Sequence, residues 1–207
     1  MNEHEKEHRE AEHKASALYN VGWATGAGAT IWARAVRDQL ALHESARERF
    51  TANTADMEAW ERLHGSALML VVAIDQVLAF EQRVSRLAGT DTELAQARER
   101  FDAAVPGAEM LRDLVAHLDA YAVGEGFRQT GKRLPPLSEQ YPQTFIYWGD
   151  DEDTVVDLGD QRLYLRTAAK AATDLAYAVE RARARHQELA AQEADAAARG
   201  RFGIPPE

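Results

Sequence analysis

Apolar residues along this chain recur mostly with the 3.6-residue period of amphipathic helices, and glycine, proline and polar clusters interrupt the pattern. Five helices are predicted, over about residues 15–50, 55–87, 90–104, 108–123 and 165–198. Residues 1–14 read as a charged helical lead-in and residues 200–207 as an extended tail. The chain therefore divides into this lead-in, a single helical domain over residues 15–199, and the tail.

The longest apolar run, residues 67–80, is apolar nearly all round its helix. Such a helix belongs at the centre of a bundle. Gly89 closes it, and the sequence Thr-Asp-Thr-Glu over residues 90–93 is a capping box that starts the next helix. Three glycines between residues 22 and 28 leave two interpretations of the first helix open: close packing against a neighbour, or a weak, bent helix.

The pattern changes between residues 127 and 160, where prolines enforce a loop. Two β-rich runs follow, at residues 144–148 and 154–158, and residues 162–165 can add a third strand. The predicted fold class is therefore mainly α: a multi-helix bundle with a small β-hairpin insertion near residues 144–158.

Composition narrows the functional classes. The chain has 207 residues and a formal net charge of −10, whereas stable binding of duplex nucleic acid usually needs a basic face. A nuclease that contacts RNA transiently needs only a local basic patch. Cysteine is absent from the sequence, which excludes a disulfide framework, a thiolate zinc site and a cysteine nucleophile.

Two segments bear on the location of the protein. Residues 1–14 have no apolar run and do not resemble a signal peptide. Residues 15–33 carry no charge, but they are mostly small or polar, which favours a buried helix over a membrane span. We therefore expect a cytoplasmic protein that does not associate with membranes.

Three short motifs contain metal-ligand types. Residues 4–8 match the H-E-x-x-H string of zinc proteases, but they lie in the charged lead-in, where a solvated charge run is favoured. Residues 61–64 and 10–13 are E-x-x-H pairs, as in di-iron bundles, which also need paired Glu residues inside apolar stripes. Asp75 is the one acidic residue in the long apolar run. No metal or other cofactor is expected.

The predicted helix over residues 108–123 carries the most suggestive group, Arg112, Asp113 and His117. Asp113 and His117 are four residues apart and share a helix face, so the carboxylate can orient the imidazole. Arg112 lies on another side of the helix, and its length or a second subunit would bring it to the same phosphate. Such residues suit RNA cleavage without a metal: the His moves protons and the Arg holds the scissile phosphate.

An Arg followed by a polar residue, with a His four to six positions after the Arg, resembles the signature of the HEPN superfamily. Those proteins are helical bundles, often dimeric, and many are ribonucleases of toxin–antitoxin and defence systems. The resemblance implies that Arg112 and His117 are catalytic, that Asp113 supports them, and that the ribose 2′-OH attacks the adjacent phosphate. It also implies a homodimer that pairs two copies of the motif, with an antitoxin-like protein as a partner.

Residues 37–43 also fit this pattern, and residues 181–186 fit it apart from the alanine after the Arg. We prefer the copy at residues 112–117 because its helix is short, amphipathic and cleanly bounded. A basic cluster in the following loop is predicted to bind RNA, with a solvated loop as the alternative. Its members are Arg128, Lys132 and Arg133.

Three functional hypotheses remain open at this point. The first is an HEPN-like, metal-independent endoribonuclease of a toxin–antitoxin or defence system. The second is a non-catalytic helical interaction or regulatory module that keeps the fold without the chemistry. The third is a metal-binding helical bundle.

Overall fold

The computed structural model describes residues 3–23, 28–108, 146–148, 153–158 and 161–202. The helices in these ranges are α1 (Glu3–Trp23), α2 (Ala29–Ala52), α3 (Met57–Ala88), α4 (Thr92–Ala104) and α5 (Leu165–Phe202). Three strands, β1 (Ile146–Trp148), β2 (Thr154–Leu158) and β3 (Gln161–Tyr164), form one antiparallel sheet in the order β1-β2-β3. The predicted fold class, a helical bundle with a small hairpin insertion, is confirmed.

Helix α5 packs against each of the other described helices. Its 38 residues span roughly 57 Å at 1.5 Å per residue, and it contacts α1, α2, α3 and α4 as well as β2 and β3. Helix α2 runs antiparallel to it, because Ala29 meets Glu180 while Glu44 meets Arg166. Helix α1 lies along the C-terminal half of α5, where His8 Nδ1 is 3.0 Å from the Ala194 carbonyl oxygen.

The apolar core is centred on α3, as the sequence predicts. Four of the eight largest fully buried side chains belong to this helix: Leu63, Leu70, Leu78 and Phe80. Helix α3 is also long and apolar enough to cross a membrane, a test that the central helix of a bundle passes equally. In its most apolar window, 56% of the residues are buried inside the protein.

Local sequence signals place the ends of α3 and α4 correctly. Gly89, which ends α3, has φ +76°, a backbone conformation that favours glycine. Helix α4 begins where the capping box predicts, but Asp91 rather than Thr90 is the capping residue, and its Oδ1 accepts the Leu94 N–H at 2.9 Å. The Glu93 side chain reaches α5 instead of returning to the cap.

The single helix predicted over residues 15–50 is wrong. Helix α1 ends at Trp23, and α2 begins only after Gly28, whose backbone is extended (φ −58°, ψ 168°). Glycine is a poor helix former, and the Glu180 carboxylate of α5 accepts the Ala29 N–H at 2.6 Å, which satisfies a new helix N-terminus. Helix α1 itself continues without a break through the charged lead-in, from Glu3. Beyond Ala108, the helix predicted over residues 108–123 lies outside the described residues.

The sheet lies at the N-terminal end of α5, because β3 leads directly into this helix at Leu165. Val156 pairs with Ile146 on one side and Leu163 on the other. Asp153, just before β2, accepts the backbone N–H groups of Arg166 and Thr167 at 2.8 and 3.1 Å. Its carboxylate therefore caps α5 and fixes the sheet to the helix.

Candidate functional site

A basic groove lies between α1 and the C-terminal end of α3, with a cavity volume of about 610 Å³. We call it the α1/α3 groove. It is lined by Lys6, Arg9, Glu10, His13, Lys14, Ala17, Arg86 and Leu87. Four cations and one imidazole thus stand against a single carboxylate, in a chain whose net charge is −10. The groove is a local reversal of the overall charge.

The periodicity of α1 produces this concentration of charge. Residues three and four apart share a helix face, so Lys6, Arg9 and His13 face the groove together. Arg86 is added from the last turn of α3, where its Nε donates to the Gln82 carbonyl oxygen at 3.1 Å. Only the close packing of the two helices brings Arg86 into the same cavity as Arg9.

Most of the charge in the groove is not cancelled by neighbouring carboxylates. Glu10 contacts Lys6, with 3.8 Å between Oε1 and Nζ. Arg9, Lys14 and Arg86 have no carboxylate within ion-pair distance among the described residues. Uncancelled cations in a concave surface focus a positive potential, which attracts an anion.

Arg9 and His13 give this groove residues that could do chemistry as well as bind. A guanidinium can hold two oxygens of a phosphate at once, and an exposed imidazole can transfer protons near neutral pH. The two side chains are four residues apart on one face, so both can reach the same bound group. Ala17 and Leu87 add a small apolar surface beside them.

The Arg9 and His13 pair is not among the predicted sites, although its signal is present in the sequence. The sequence Arg-Glu-Ala-Glu-His over residues 9–13 contains an Arg, a polar residue and a His four positions after the Arg. The pattern of this segment predicts a solvated lead-in, in which Glu10 and His13 are only a metal-ligand pair. The pair has the same Arg-to-His spacing as the other copies of the motif allow, four to six positions.

The site predicted first lies outside the described residues. This holds for the proposed catalytic residues Arg112, Asp113 and His117 and for the proposed RNA-binding residues Arg128, Lys132 and Arg133. Their assignment therefore stays a prediction.

The second copy of the motif, Arg37 and His43, does not form a site. His43 is completely buried between α2 and α3, and its Nδ1 is 3.1 Å from the Leu63 carbonyl oxygen. Arg37 lies on the exposed side, where its Nη1 donates to the Tyr177 hydroxyl at 3.0 Å. The two side chains therefore serve separate helix contacts and do not meet in a cleft.

The third copy, Arg181 and His186, belongs to an ion-pair cluster between α4 and α5. Asp91 Oδ2 is 2.6 Å from Arg185 Nη2 and 2.9 Å from His186 Nε2, and Glu93 pairs with Arg181 and Arg185. Burial opposes the charged form of Asp91, but Arg185, the Leu94 N–H and His186 outweigh it and lower its pKa to about 2. Since carboxylates already occupy these cations, the cluster holds two helices together rather than binding a phosphate.

The metal-ligand motifs do not assemble into a site in the described part of the chain. Within those residues, no three His, Cys, Asp or Glu side chains are grouped so that they could hold a metal ion. His64, from the E-x-x-H pair on α3, places its Nδ1 2.8 Å from the Trp60 carbonyl oxygen and its ring 4.2 Å from the Trp60 ring. His8 is hydrogen-bonded to α5 and lies 3.4 Å from Glu12.

The HEPN resemblance rests on one short motif and a helical layout. No protein-family model, curated protein or solved structure matches this chain. Function must therefore be inferred from the chemistry of the described residues, and the α1/α3 groove is where cations, an imidazole and open volume coincide.

Proposed function

We propose that this protein binds single-stranded RNA in the α1/α3 groove and cleaves it without a metal ion. The observation that carries the proposal is a set of cations around one cavity of a strongly acidic protein, Arg9, Lys14 and Arg86, which have no carboxylate partner among the described residues. A phosphodiester backbone supplies the repeated negative charge that such a groove attracts. A single strand also exposes its bases and 2′-OH groups to a shallow helical surface.

The proposed chemistry is the one that the HEPN resemblance implies. His13 accepts the proton of the ribose 2′-OH, the O2′–P bond forms, and the P–O5′ bond breaks as the departing oxygen takes a proton from water. Arg9 stabilises the charge that develops on the phosphate oxygens. Arg112 and His117 are the alternative pair for the same step, and the experiment must separate the two pairs.

Binding is tested by fluorescence anisotropy with a labelled single-stranded RNA of about 20 nucleotides. The variant Arg9→Gln/Lys14→Gln is expected to bind at least about tenfold more weakly at low salt, with a salt slope smaller by roughly 1.4 because two phosphate contacts are lost. The matched control is Arg34→Gln/Lys170→Gln, which removes two highly exposed cations that pair with Asp38 and Asp174. Equal losses in both variants would mean that RNA binds through net charge and not in the groove.

Cleavage is tested with the same RNA in the presence of a chelator. We expect His13→Ala to abolish cleavage while RNA binding stays within about twofold, because an imidazole moves protons but contributes little to phosphate affinity. Loss of cleavage in His117→Ala alone would move the catalytic step to the pair predicted first. Tight binding without any cleavage would refute the catalytic half of the proposal and leave an RNA-binding module.

A second candidate, a protein interaction module, is favoured by exposed apolar residues on α2 and α3. Ile31, Leu42 and Met69 are 51%, 55% and 52% exposed. Leu42 and Gly65 also line a groove of about 310 Å³ between α2 and α3. Exposed apolar residues beside a groove are common in protein interfaces, including those of homodimers and of antitoxin-like partners. If this face carries the function, Leu42→Asp/Met69→Asp will abolish self-association in sedimentation velocity and leave RNA binding unchanged.

A further inference from the structure

His43 occupies an unusual environment in the seam between α2 and α3. The side chain is fully buried, and its Nδ1 lies 3.1 Å from the Leu63 carbonyl oxygen. Because a carbonyl only accepts, Nδ1 must carry the proton, so Nε2 is left as a lone pair. Within the part of the chain that the structure describes, that buried Nε2 has no hydrogen-bond partner. Buried polar atoms are nearly always paired, so this one requires an explanation.

The surroundings of His43 accept a neutral ring and oppose a charged one. A proton on Nε2 would place a positive charge and an unpaired N–H inside the core. Burial therefore lowers the pKa of His43; the Leu63 carbonyl acts against this shift, and the charge of Arg47 adds to it. On α3, His64 also opposes the charge, and the Ser66 hydroxyl lies 3.5 Å from Nδ1 but already donates to the Arg62 carbonyl oxygen.

The carboxylate that could compensate a charged His43 is already engaged. Glu44, the next residue on α2, favours the protonated ring, but its Oε1 accepts from Arg166 Nε of α5 at 2.6 Å. On the sheet side, Arg47 Nη1 lies 3.5 Å from the Thr154 hydroxyl of β2. Among the described residues, these contacts with α5 and with β2 therefore provide no free carboxylate that could pair with the His43 ring.

We propose that His43 makes the packing of α2 against α3 sensitive to acid. At neutral pH the uncharged ring joins α2 to the Leu63 carbonyl, and acidification loosens this end of the bundle. The contacts of α2 with α5 and with β2, through Glu44 and Arg47, lie within one turn of His43. Loosening of the seam therefore reaches the end of the bundle that carries the sheet. The inference does not depend on RNA binding, since the α1/α3 groove lies at the opposite end of α3.

The direction of the pH effect follows from the depressed pKa of His43. An exposed imidazole titrates near 6.5, so the unfolded chain takes up a proton at a higher pH than the folded protein does. The stability that His43 contributes is complete above about pH 6.5. It is lost as the pH falls from there toward the pKa of the folded protein.

The test compares thermal unfolding between about pH 7.5 and pH 5.0. The variant is His43→Asn, which keeps an N–H that can donate to the Leu63 carbonyl but does not titrate. The matched control is His13→Gln, which removes an exposed histidine on α1. For the wild type and the control, we expect Tm to fall as the pH is lowered over this range. The fall should be roughly 3–5 °C for each tenfold by which burial weakens the binding of a proton to the His43 ring. In His43→Asn, the fall in Tm should be smaller by this amount. An equal fall in Tm in all three proteins would overturn the proposal.

A second measurement uses the wild type alone and decides the question even if His43→Asn does not fold. Nuclear magnetic resonance follows protonation of the His43 ring, which should occur below pH 6.5 because burial lowers its pKa. Over the same pH range, amides of residues 43–47 and 63–67 should lose protection against hydrogen exchange, after correction for the intrinsic rate. A ring that titrates at 6.5 or above, or unchanged protection, would refute the proposal.

Discussion

At the scale of single residues, Asp91 shows how much one buried carboxylate can organise. Its side chain is 5% exposed and contacts the Leu94 N–H, Arg185 and His186. The capping role could be predicted, because it depends on neighbours within three residues. The contacts to Arg185 and His186 could not, since these residues lie 94 and 95 positions away.

Replacing Asp91 should lower the free energy of unfolding more at neutral pH than at very low pH. Asp91→Ala removes a helix cap and leaves Arg185 and His186 without their carboxylate, so we expect a loss of about 2–3 kcal/mol in the free energy of unfolding. Because the pKa of Asp91 is lowered to about 2, its carboxylate stabilises the fold fully above about pH 4 and loses this effect as the pH falls toward 2.

Urea unfolding at several pH values checks this prediction. The difference between wild type and Asp91→Ala should shrink between about pH 4 and pH 2. Leu94, whose N–H the carboxylate caps, should also show faster amide exchange in the variant. A difference that stays constant over that pH range would show that the ionised carboxylate is not the stabilising group.

At the scale of helices, the first turn of α2 is capped by a side chain that is distant in the sequence. Glu180 of α5 accepts the Ala29 N–H and also pairs with Arg183 at 2.9 Å. Gly28 leaves room for that carboxylate, because a Cβ at this position would clash with Glu180 Oε1. The absence of a side chain at Gly28 therefore permits α5 to cap α2, where an anion at the helix N-terminus is stabilising.

Two glycine substitutions should have opposite effects. Gly28→Ala pushes the Glu180 carboxylate away from Ala29, and we expect it to lower the free energy of unfolding by about 1 kcal/mol. Gly65→Ala, inside α3 and with no atom of the described residues within 4 Å of the added Cβ, should raise it by roughly 0.5–1 kcal/mol. Chemical denaturation of both variants measures the two effects, and stabilisation by Gly28→Ala would contradict the capping role of Glu180.

At the scale of the whole molecule, the two ends of α5 are packed differently. Its first half is joined to α2, α3 and α4 through large side chains such as Leu175, Phe80 and Phe101. Toward its C-terminal end, where α1 packs, the buried residues are small, as with Ala190 and Ala194. Small side chains bury less apolar area, so this end gains less stability from packing.

The packing difference predicts two levels of local stability. Amide hydrogens of α1 and of α5 beyond residue 186 should exchange at least about tenfold faster than those of α3 at neutral pH. Hydrogen exchange followed by mass spectrometry resolves the two regions, with α3 as the internal reference. If α1 were as protected as α3, the bundle would unfold as one unit and this division would be incorrect.

The sequence alone determined the local features of the fold. Gly89, the start of α4, the central position of α3 and the short strands were all predictable, because helix caps, turns and periodicity depend on residues within a few positions. The Arg9 and His13 pair was also readable from the sequence, although the same motif recurs several times. Neighbouring residues cannot show which copy is buried, which is neutralised and which is open.

Only the tertiary structure decided those differences, because they depend on contacts between distant segments. Glu180 caps the start of α2 although it lies 151 residues after Ala29 in the sequence. Asp91 and Glu93 pair with the cations in the copy of the motif on α5. Packing of α3 against α2 buries His43, while Arg86 joins Arg9 in the open groove. Exposure and charge balance are properties of the assembled bundle, whereas helix position is largely a property of the local chain.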